Sequence, residues 1–234
     1  MELLRAADLT KRYGEDAAIA GVTFEAAAGE VLGIVGPNGA GKTTLLEALA
    51  GLISADSGGV FWLGDALPPL RRKAAMFYLP DGVRPYQDRF TIEVLDFFAS
   101  IYGRSSADIA RVVTALELHQ ALRKRVSALS KGYNRRLLLA IGLLTPQPVL
   151  LMDEPFDGFD LRQTRSIVEV LRKAAGYGRT FILAIHQLAD AERVCDRFLL
   201  LAGGQVRGIG SLRELRTQTS IPQGSLEEIF LALT

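Results

Sequence analysis

Gly36 and Gly41 bracket four residues, Pro37-Asn38-Gly39-Ala40, and are followed at once by Lys42 and Thr43. The apolar run VLGIV (31–35) precedes them and the helix-like KTTLLEALAG follows. Glycines at this spacing let the backbone curl so that the N–H groups of Asn38, Gly39, Ala40, Gly41 and Thr44 point inward at phosphate oxygens. The following helix aims the positive end of its dipole at the same point. Lys42 is placed to reach β- and γ-phosphates, and the Thr43 hydroxyl to ligate Mg²⁺, a cation that takes few protein ligands. A chance Lys in a glycine-rich turn is the plain alternative, but strand, loop and helix all agree on phosphate.

A second acid site stands in PVLLMDEPFDGFD, where Asp153 and Glu154 end an apolar run. Two adjacent carboxylates beside four apolar residues are costly unless they have partners or a task. Strand alternation sends their side chains in different directions. Asp153 is assigned to the metal, mostly through water, and Glu154 to the general base. His186 closes another apolar run, FILAIHQL. A lone histidine at a strand end is more often simply satisfied there. In an α/β sheet, however, the carboxyl ends of the strands form the ligand crevice, and His186 is expected to hydrogen-bond the γ-phosphate. His119, in a polar stretch, reads as solvated.

These groups need a scaffold that brings strand ends together. Short apolar runs recur at 31–35, 60–63, 75–79, 149–152, 181–185 and 198–202. Several are apolar throughout, as in strands buried on both faces. Helical patterns separate some of them. TIEVLDFFASIYG places Ile92, Leu95, Phe98 and Tyr102 on one face. DLRQTRSIVEVLRKAAG opens with Asp160 and Gln163 at capping-box spacing, carries Ile167, Val168, Leu171 and Ala175 inward, and ends near Gly176. From about Asp81 to Thr145 the patterns are helical with no strand. Near the end, Leu226, Ile229, Phe230 and Leu233 share a helical face. Strands alternating with helices predict an α/β sheet covered on both sides.

Composition narrows the class. The chain has 234 residues, 27 Lys+Arg against 26 Asp+Glu, a net charge of +1 and 49% apolar residues. Charge alone gives no pull toward nucleic acid or acidic lipid. Cys195 is the single cysteine, so no internal disulfide forms. The start, MELLRAADLT, does not read as a signal peptide, and the longest apolar stretch is broken by TPQP short of a spanning helix. A soluble intracellular chain is expected.

The order of these motifs, with LSKGYNRR (129–136) between them, resembles the nucleotide-binding ATPase of ATP-binding cassette (ABC) transporters over essentially the whole chain. LSKGYNRR is similar to the family's signature loop, DEPFDGFD to its acid strand and D-loop, and His186 to its switch histidine. The resemblance implies that Tyr13, in LTKRYG, stacks on adenine, a contact worth about 1–3 kcal/mol per base in nucleic-acid systems. It also implies that Ser130 and the Gly132 N–H bind the γ-phosphate of ATP held by a second cassette packed head to tail. By itself LSKGYNRR reads as a Ser cap with a basic first turn, and basic residues there oppose the helix dipole, a conflict that a nearby anion would relieve.

Departures are Lys131 for a family glycine, Phe159 for a D-loop Leu, Asp157 at a small polar position and Asp81 where the family has a Gln that touches Mg²⁺. Asp81 is assigned to the metal through water, in preference to a rethreaded Gln87.

The resemblance further implies a P-loop NTPase core with a mainly parallel sheet, an N-terminal antiparallel β subdomain and an inserted helical subdomain. The expected layout is a single ABC ATPase domain, 1–234. Residues 1–80 and 146–218 form its core, 81–145 its helical signature subdomain, and 219–234 a C-terminal helix. Expected cofactors are ATP and Mg²⁺. Expected partners are a second ATPase subunit, a copy of this chain, and a separate permease of export type, with no nucleic acid, at the cytoplasmic face of the cell membrane as a peripheral subunit. The loop at 81–89 and the helical subdomain would dock the permease. Phe90, Phe97, Phe98 and Tyr102 are read mostly as core. The alternatives are a soluble ABC ATPase in DNA repair, chromosome handling or translation, which the single P-loop, single Cys and absence of heptads or a basic arm disfavour, and a small-molecule kinase, which leaves the signature loop and D-loop as accidents.

Overall fold

A computed structural model describes residues 2–234. In chain order the strands are β1 (Glu2–Tyr13), β2 (Asp16–Ala27), β3 (Val31–Val35), β4 (Ser57–Trp62), β5 (Asp65–Ala66), β6 (Met76–Leu79), β7 (Val149–Asp153), β8 (Thr180–Ile185), β9 (Arg197–Ala202) and β10 (Gln205–Gly210). The helices are α1 (Lys42–Ala50), α2 (Pro69–Ala75), α3 (Thr91–Ile101), α4 (Ser106–Ala115), α5 (Lys131–Leu144), α6 (Leu161–Gly176), α7 (Leu188–Val194), α8 (Leu212–Thr219) and α9 (Leu226–Leu233).

Two sheets carry the molecule. An antiparallel sheet has the order β2-β1-β4-β5, and a six-stranded sheet has the order β10-β9-β3-β8-β7-β6. In the second, β3, β6, β7, β8 and β9 run parallel and only β10 is antiparallel. The uninterrupted apolar runs follow from burial on both faces. Val31, Phe181, Leu183, Phe198 and Leu200 join the core under α3 to α9, while Leu32, Ile34, Ile182, Ala184 and Leu199 join the core shared with α1 and the antiparallel sheet. Each such Val, Ile, Leu or Phe side chain, fully buried, is worth about 1.5–3 kcal/mol. Gly33 leaves room for Cys195, whose Sγ a Cβ at that position would meet at 2.7 Å.

Between β6 and β7 the chain is helical, holding α3, α4, two 3₁₀ turns and α5, with only an isolated Phe90–Arg125 bridge. His119 lies exposed on one of those turns. The α6 capping box is present, Asp160 accepting from the Gln163 N–H at 2.8 Å, and Thr164, Ile167, Leu171 and Ala175 are its buried residues. Within 219–234, α9 begins at Leu226 and buries Leu226 and Ile229.

Two expectations need correction. The α3 face turned inward is Val94, Leu95 and Ala99 with Thr91, whereas Ile92, Phe98 and Tyr102 flank it half-buried. Phe90 and Phe97 are not core: they are 40% and 46% exposed, beside Tyr86 at 49%. Among the described residues no helix is long and apolar enough to cross a membrane.

Candidate functional site

The carboxyl ends of β3 and β7 converge on one cleft of about 330 Å³. Asn38, Gly39, Ala40, Gly41, Lys42, Thr43 and Thr44 line one side, Asp81, Asp153 and Glu154 the other, and Ala18 of β2 closes it. The phosphate loop is possible only with glycine at two points. Gly36 runs so close to β9 that a Cβ would stand 2.1 Å from the Leu201 carbonyl oxygen. Gly41 has φ +101°, and a Cβ there would stand 2.2 Å from the Ala18 carbonyl oxygen. Lys42, Thr43 and Thr44, which open α1, line the cleft just beyond that turn.

Lys42, 7% exposed, donates from Nζ to the carbonyls of Gly36 at 2.7 Å and Pro37 at 3.2 Å, with the Glu154 carboxylate at 3.8 Å. Burial pulls its ammonium below the usual lysine range, and Glu154 and Asp153 pull it part of the way back. Thr43 Oγ1 donates to Asp153 Oδ2 at 2.6 Å across 110 residues of chain. Burial pushes the Asp153 carboxyl above the usual carboxylate range. Asp81 adds to that, while the Thr43 hydroxyl, Lys42 and Arg135 oppose it. Beneath them the Tyr78 hydroxyl is buried without a hydrogen-bond partner.

Glu154 does not simply continue the strand alternation. β7 ends at Asp153, and Glu154 leaves with φ +48°, the left-handed region that non-glycine residues rarely enter. Its N–H donates to the Ala184 carbonyl at 3.0 Å, and its Oε2 accepts from His186 Nδ1 at 2.6 Å. Because an ionised carboxylate only accepts, Nδ1 carries the hydrogen and Nε2 is left for another partner. Strain held this firmly is a mark of functional sites. The turn at Glu154, rather than the pleat, sends the two carboxylates apart.

Tyr13 stands 54% exposed at the end of β1, with Lys11 Nζ 5.6 Å from its ring centroid; it flanks the cleft's β2 wall without lining the cleft. Ser130 and Gly132 do not line it either. Ser130 caps α5, its hydroxyl accepting from the Tyr133 N–H at 3.3 Å. A Cβ on Gly132 would lie 3.5 Å from the Gly158 carbonyl oxygen, so the signature loop packs beside the D-loop of its own chain.

The basic first turn of α5 finds its anions within the chain. Lys131 Nζ donates to Asp157 Oδ2 at 2.6 Å, and that bond holds the Asp157 carboxyl below the usual range. Arg135, its side chain 7% exposed, pairs with Asp81 and donates to the Asp153 carbonyl at 3.3 Å. Neither contact is marked by sequence spacing. The Arg135 bond belongs to a wider seam between the 81–89 loop and the run into α5. Asn134 Nδ2 donates to the Val83 carbonyl at 2.8 Å, the Ser127 N–H to Gln87 at 3.0 Å and the Val126 N–H to Arg89 at 3.0 Å. Gln87 is thus used through its backbone and stays out of the cleft. Asp81→Ala should cost about 1–3 kcal/mol in urea unfolding, because it strands a buried guanidinium. Asp81→Glu, which keeps the charge, should recover most of that. Equal losses in both variants would mean that loop shape, not charge, holds the seam.

The donor set suits a hard divalent cation: a Thr hydroxyl and carboxylates, all oxygen, with phosphate oxygens to complete the shell. Among the described residues no cluster of three or more His, Cys, Asp or Glu forms a metal cage. The arrangement gathers a phosphate-binding loop, oxygen donors suited to a cation and a positioned carboxylate in one cleft, the groups that nucleoside triphosphate chemistry needs.

Comparison with known proteins gives the family. The ABC transporter family profile matches residues 19–157. The ABC-type transporter ATP-binding protein EcsA of Bacillus subtilis is 30% identical over 100% of this chain and 97% of its own length. The Nod factor export ATP-binding protein I of Rhizobium etli is 36% identical over 85% of this chain and 65% of its own length. A solved ATP-binding subunit of an ABC transporter superposes with a TM-score of 0.88 at 30% identity, covering 99% of both chains.

Proposed function

The chain belongs to the ABC transporter family and is an ATP-hydrolysing subunit of it, and on that premise we propose that two copies close head to tail on ATP to drive a separate membrane permease. The observation that carries this reading is the position of Ser130 and Gly132. They sit at the start of α5, outside the P-loop cleft of their own chain. An anion-binding helix end with no phosphate of its own to read fits a partner's ATP.

Within each cleft, Lys42 holds the β- and γ-phosphates and the backbone of Asn38 to Thr44 cradles them. Thr43, with Asp153 mostly through water and Asp81 through water, would hold Mg²⁺, which when bound neutralises charge on the phosphates. Tyr13 stacks on adenine. Glu154 takes a proton from a water as that water's oxygen bonds to the γ-phosphorus, and the bond to the β-bridging oxygen breaks, leaving ADP and phosphate. His186 fixes the Glu154 carboxylate through Nδ1–H and, in its imidazolium form with hydrogens on both ring nitrogens, donates from Nε2 to a γ-phosphate oxygen. Loss of phosphate removes the anion shared by the two chains, and the pair opens. ATP acts by population shift, binding the closed pair in preference to the open one.

The permease would dock on the helical subdomain at 81–145. Supporting this, Tyr86 and Phe97 meet edge to face at 5.2 Å and Phe97 and Phe98 at 5.4 Å, forming an apolar patch that continues to Tyr102. The export function in the Rhizobium relative's name supports an exporter. The chain would work as a peripheral subunit at the cytoplasmic face of the membrane.

The test is the molar mass of Glu154→Gln, measured by size-exclusion chromatography with light scattering. A monomer is expected without nucleotide and a dimer with Mg-ATP. The dimer should vanish when Ser130→Arg is added. A monomer that nonetheless binds ATP would overturn pairing between like chains.

A further inference from the structure

A cleft of about 480 Å³ lies away from the nucleotide site, between α4, the end of α5 and the last turns of α6. Val112, Leu143, Leu144 and Val170 give it an apolar floor, and Arg104, Arg111, Lys173 and Arg179 ring it with positive charge. Its only acid is Asp108, already bound to Arg111 and to the N–H and hydroxyl of Ser105, both at 2.8 Å. Among the described residues Arg104, Lys173 and Arg179 form no ion pair.

Arg104 and Arg179 converge on the same backbone. Arg104 Nε donates to the Leu144 carbonyl at 2.8 Å and Nη2 to Thr145 at 3.3 Å. Arg179 Nη1 donates to the Thr145 carbonyl at 3.0 Å, and Nη2 to Gly142 at 2.9 Å and to the Thr145 hydroxyl at 3.2 Å. These bonds complete the C-terminal cap of α5 and account for the donors pointed at carbonyls. They do not account for the charge. Two guanidiniums share one carbonyl oxygen, and Arg179 Nε is buried with no acceptor. Burial, and then the charge of Arg104, depress Arg179 to about 10. Arg104 and Lys173 stand exposed at the rim and Arg179 is half-buried. Asp108, already shared with Arg111 and Ser105, is the one carboxylate lining the cleft against four cations, so an excess of positive charge is left that an anion would balance. An apolar cavity with a few convergent polar groups is the usual form of a small-ligand site.

We infer that this cleft binds an amphipathic anion, a phosphate or carboxylate head on a short alkyl or acyl chain. The head sits among Arg179, Arg104 and Lys173, and the chain lies along Val112, Leu143 and Val170. Such a head can come from a soluble acyl anion or from an anionic lipid. The site joins α4 and α5 of the inserted helical segment to α6, so a ligand there braces the two.

Isothermal titration of the full chain with octyl phosphate, below its micellar concentration, tests this. One molecule per chain should bind at least about tenfold tighter than inorganic phosphate, since each buried methylene is worth roughly a factor of four. Lys173→Gln, at an exposed position that makes no fold-holding bond, should weaken binding about tenfold, as expected for one charged hydrogen bond, and leave ATP turnover unchanged. Ala174→Glu puts a carboxylate inside the cleft; it should abolish binding and raise the thermal unfolding midpoint by supplying the missing counter-charge. Equal binding of octyl glucoside would reduce the cleft to an apolar groove, and equal binding of inorganic phosphate to a plain anion spot. Either result overturns the inference, as does wild-type binding by Ala174→Glu or no binding at all. Sedimentation of the chain with phosphatidylglycerol vesicles, competed by octyl phosphate, would assign the head to a lipid. Octyl phosphate binding without sedimentation would assign it to a soluble anion.

Discussion

Replacing Glu154 by Gln is expected to lower ATP turnover by about 10²–10⁴-fold, the usual worth of a positioned general base, while Mg-ATP binding persists. Gln has the same size and keeps an acceptor for His186 Nδ1, now 2.6 Å from the carboxylate, but it cannot take the water's proton. The backbone argues for the same residue. Glu154 is held at φ +48° by its N–H bond to Ala184 on β8, a strained arrangement that aims the carboxylate into the cleft and not along β7. His186→Ala should also lower turnover, by a smaller factor, because it removes the group that orients the base and not the base itself. Phosphate release in the steady state, with nucleotide binding measured separately, checks both. Turnover in Glu154→Gln within a factor of a few of the wild type would remove Glu154 from the chemistry.

Lys42→Ala should act at the other end, on binding. A charged hydrogen bond is worth about 1.5–3 kcal/mol, or roughly 10–100-fold in affinity, and Lys42 is the cation that the phosphate loop itself supplies. The ammonium is already desolvated, 7% exposed and held by the Gly36 and Pro37 carbonyls, so little further dehydration accompanies phosphate binding. Burial lowers its pKa, whereas the Glu154 and Asp153 carboxylates favour its charge, and a phosphate anion adds to that second effect. ATP affinity by fluorescence titration should therefore fall steeply, and the thermal midpoint of the free protein should fall as well, because the Gly36 and Pro37 carbonyls and the Glu154 carboxylate lose their donor. An unchanged affinity would place the phosphates elsewhere than on this loop.

Much of this site is written locally. The spacing from Gly36 to Thr43 and the runs on either side specify strand, loop and helix, because each feature depends on neighbours within a few residues. The same holds for the Asp160–Gln163 capping box and for the strands whose unbroken apolar runs demand burial on both faces. The long hairpin of β1 and β2 was harder to read, since register shifts interrupt its pairing and with it the period of two. Periodicity put Ile92, Leu95, Phe98 and Tyr102 on one face of α3, whereas packing turns Val94, Leu95 and Ala99 inward and Phe97 outward.

The contacts that make the cleft a site were decided by tertiary structure alone. Thr43 meets Asp153 because β3 and β7 flank β8 in the same parallel sheet. His186 meets Glu154 because β8 lies beside β7. Asp81 is taken by Arg135 because α5 returns along the loop that entered the helical segment, and Lys131 by Asp157 because the start of α5 packs beside the loop that follows β7. Motif spacing determined which chemistry this chain carries. Strand order and helix packing determined which charges meet, because pairings across tens of residues depend on the path of the chain and not on local preference.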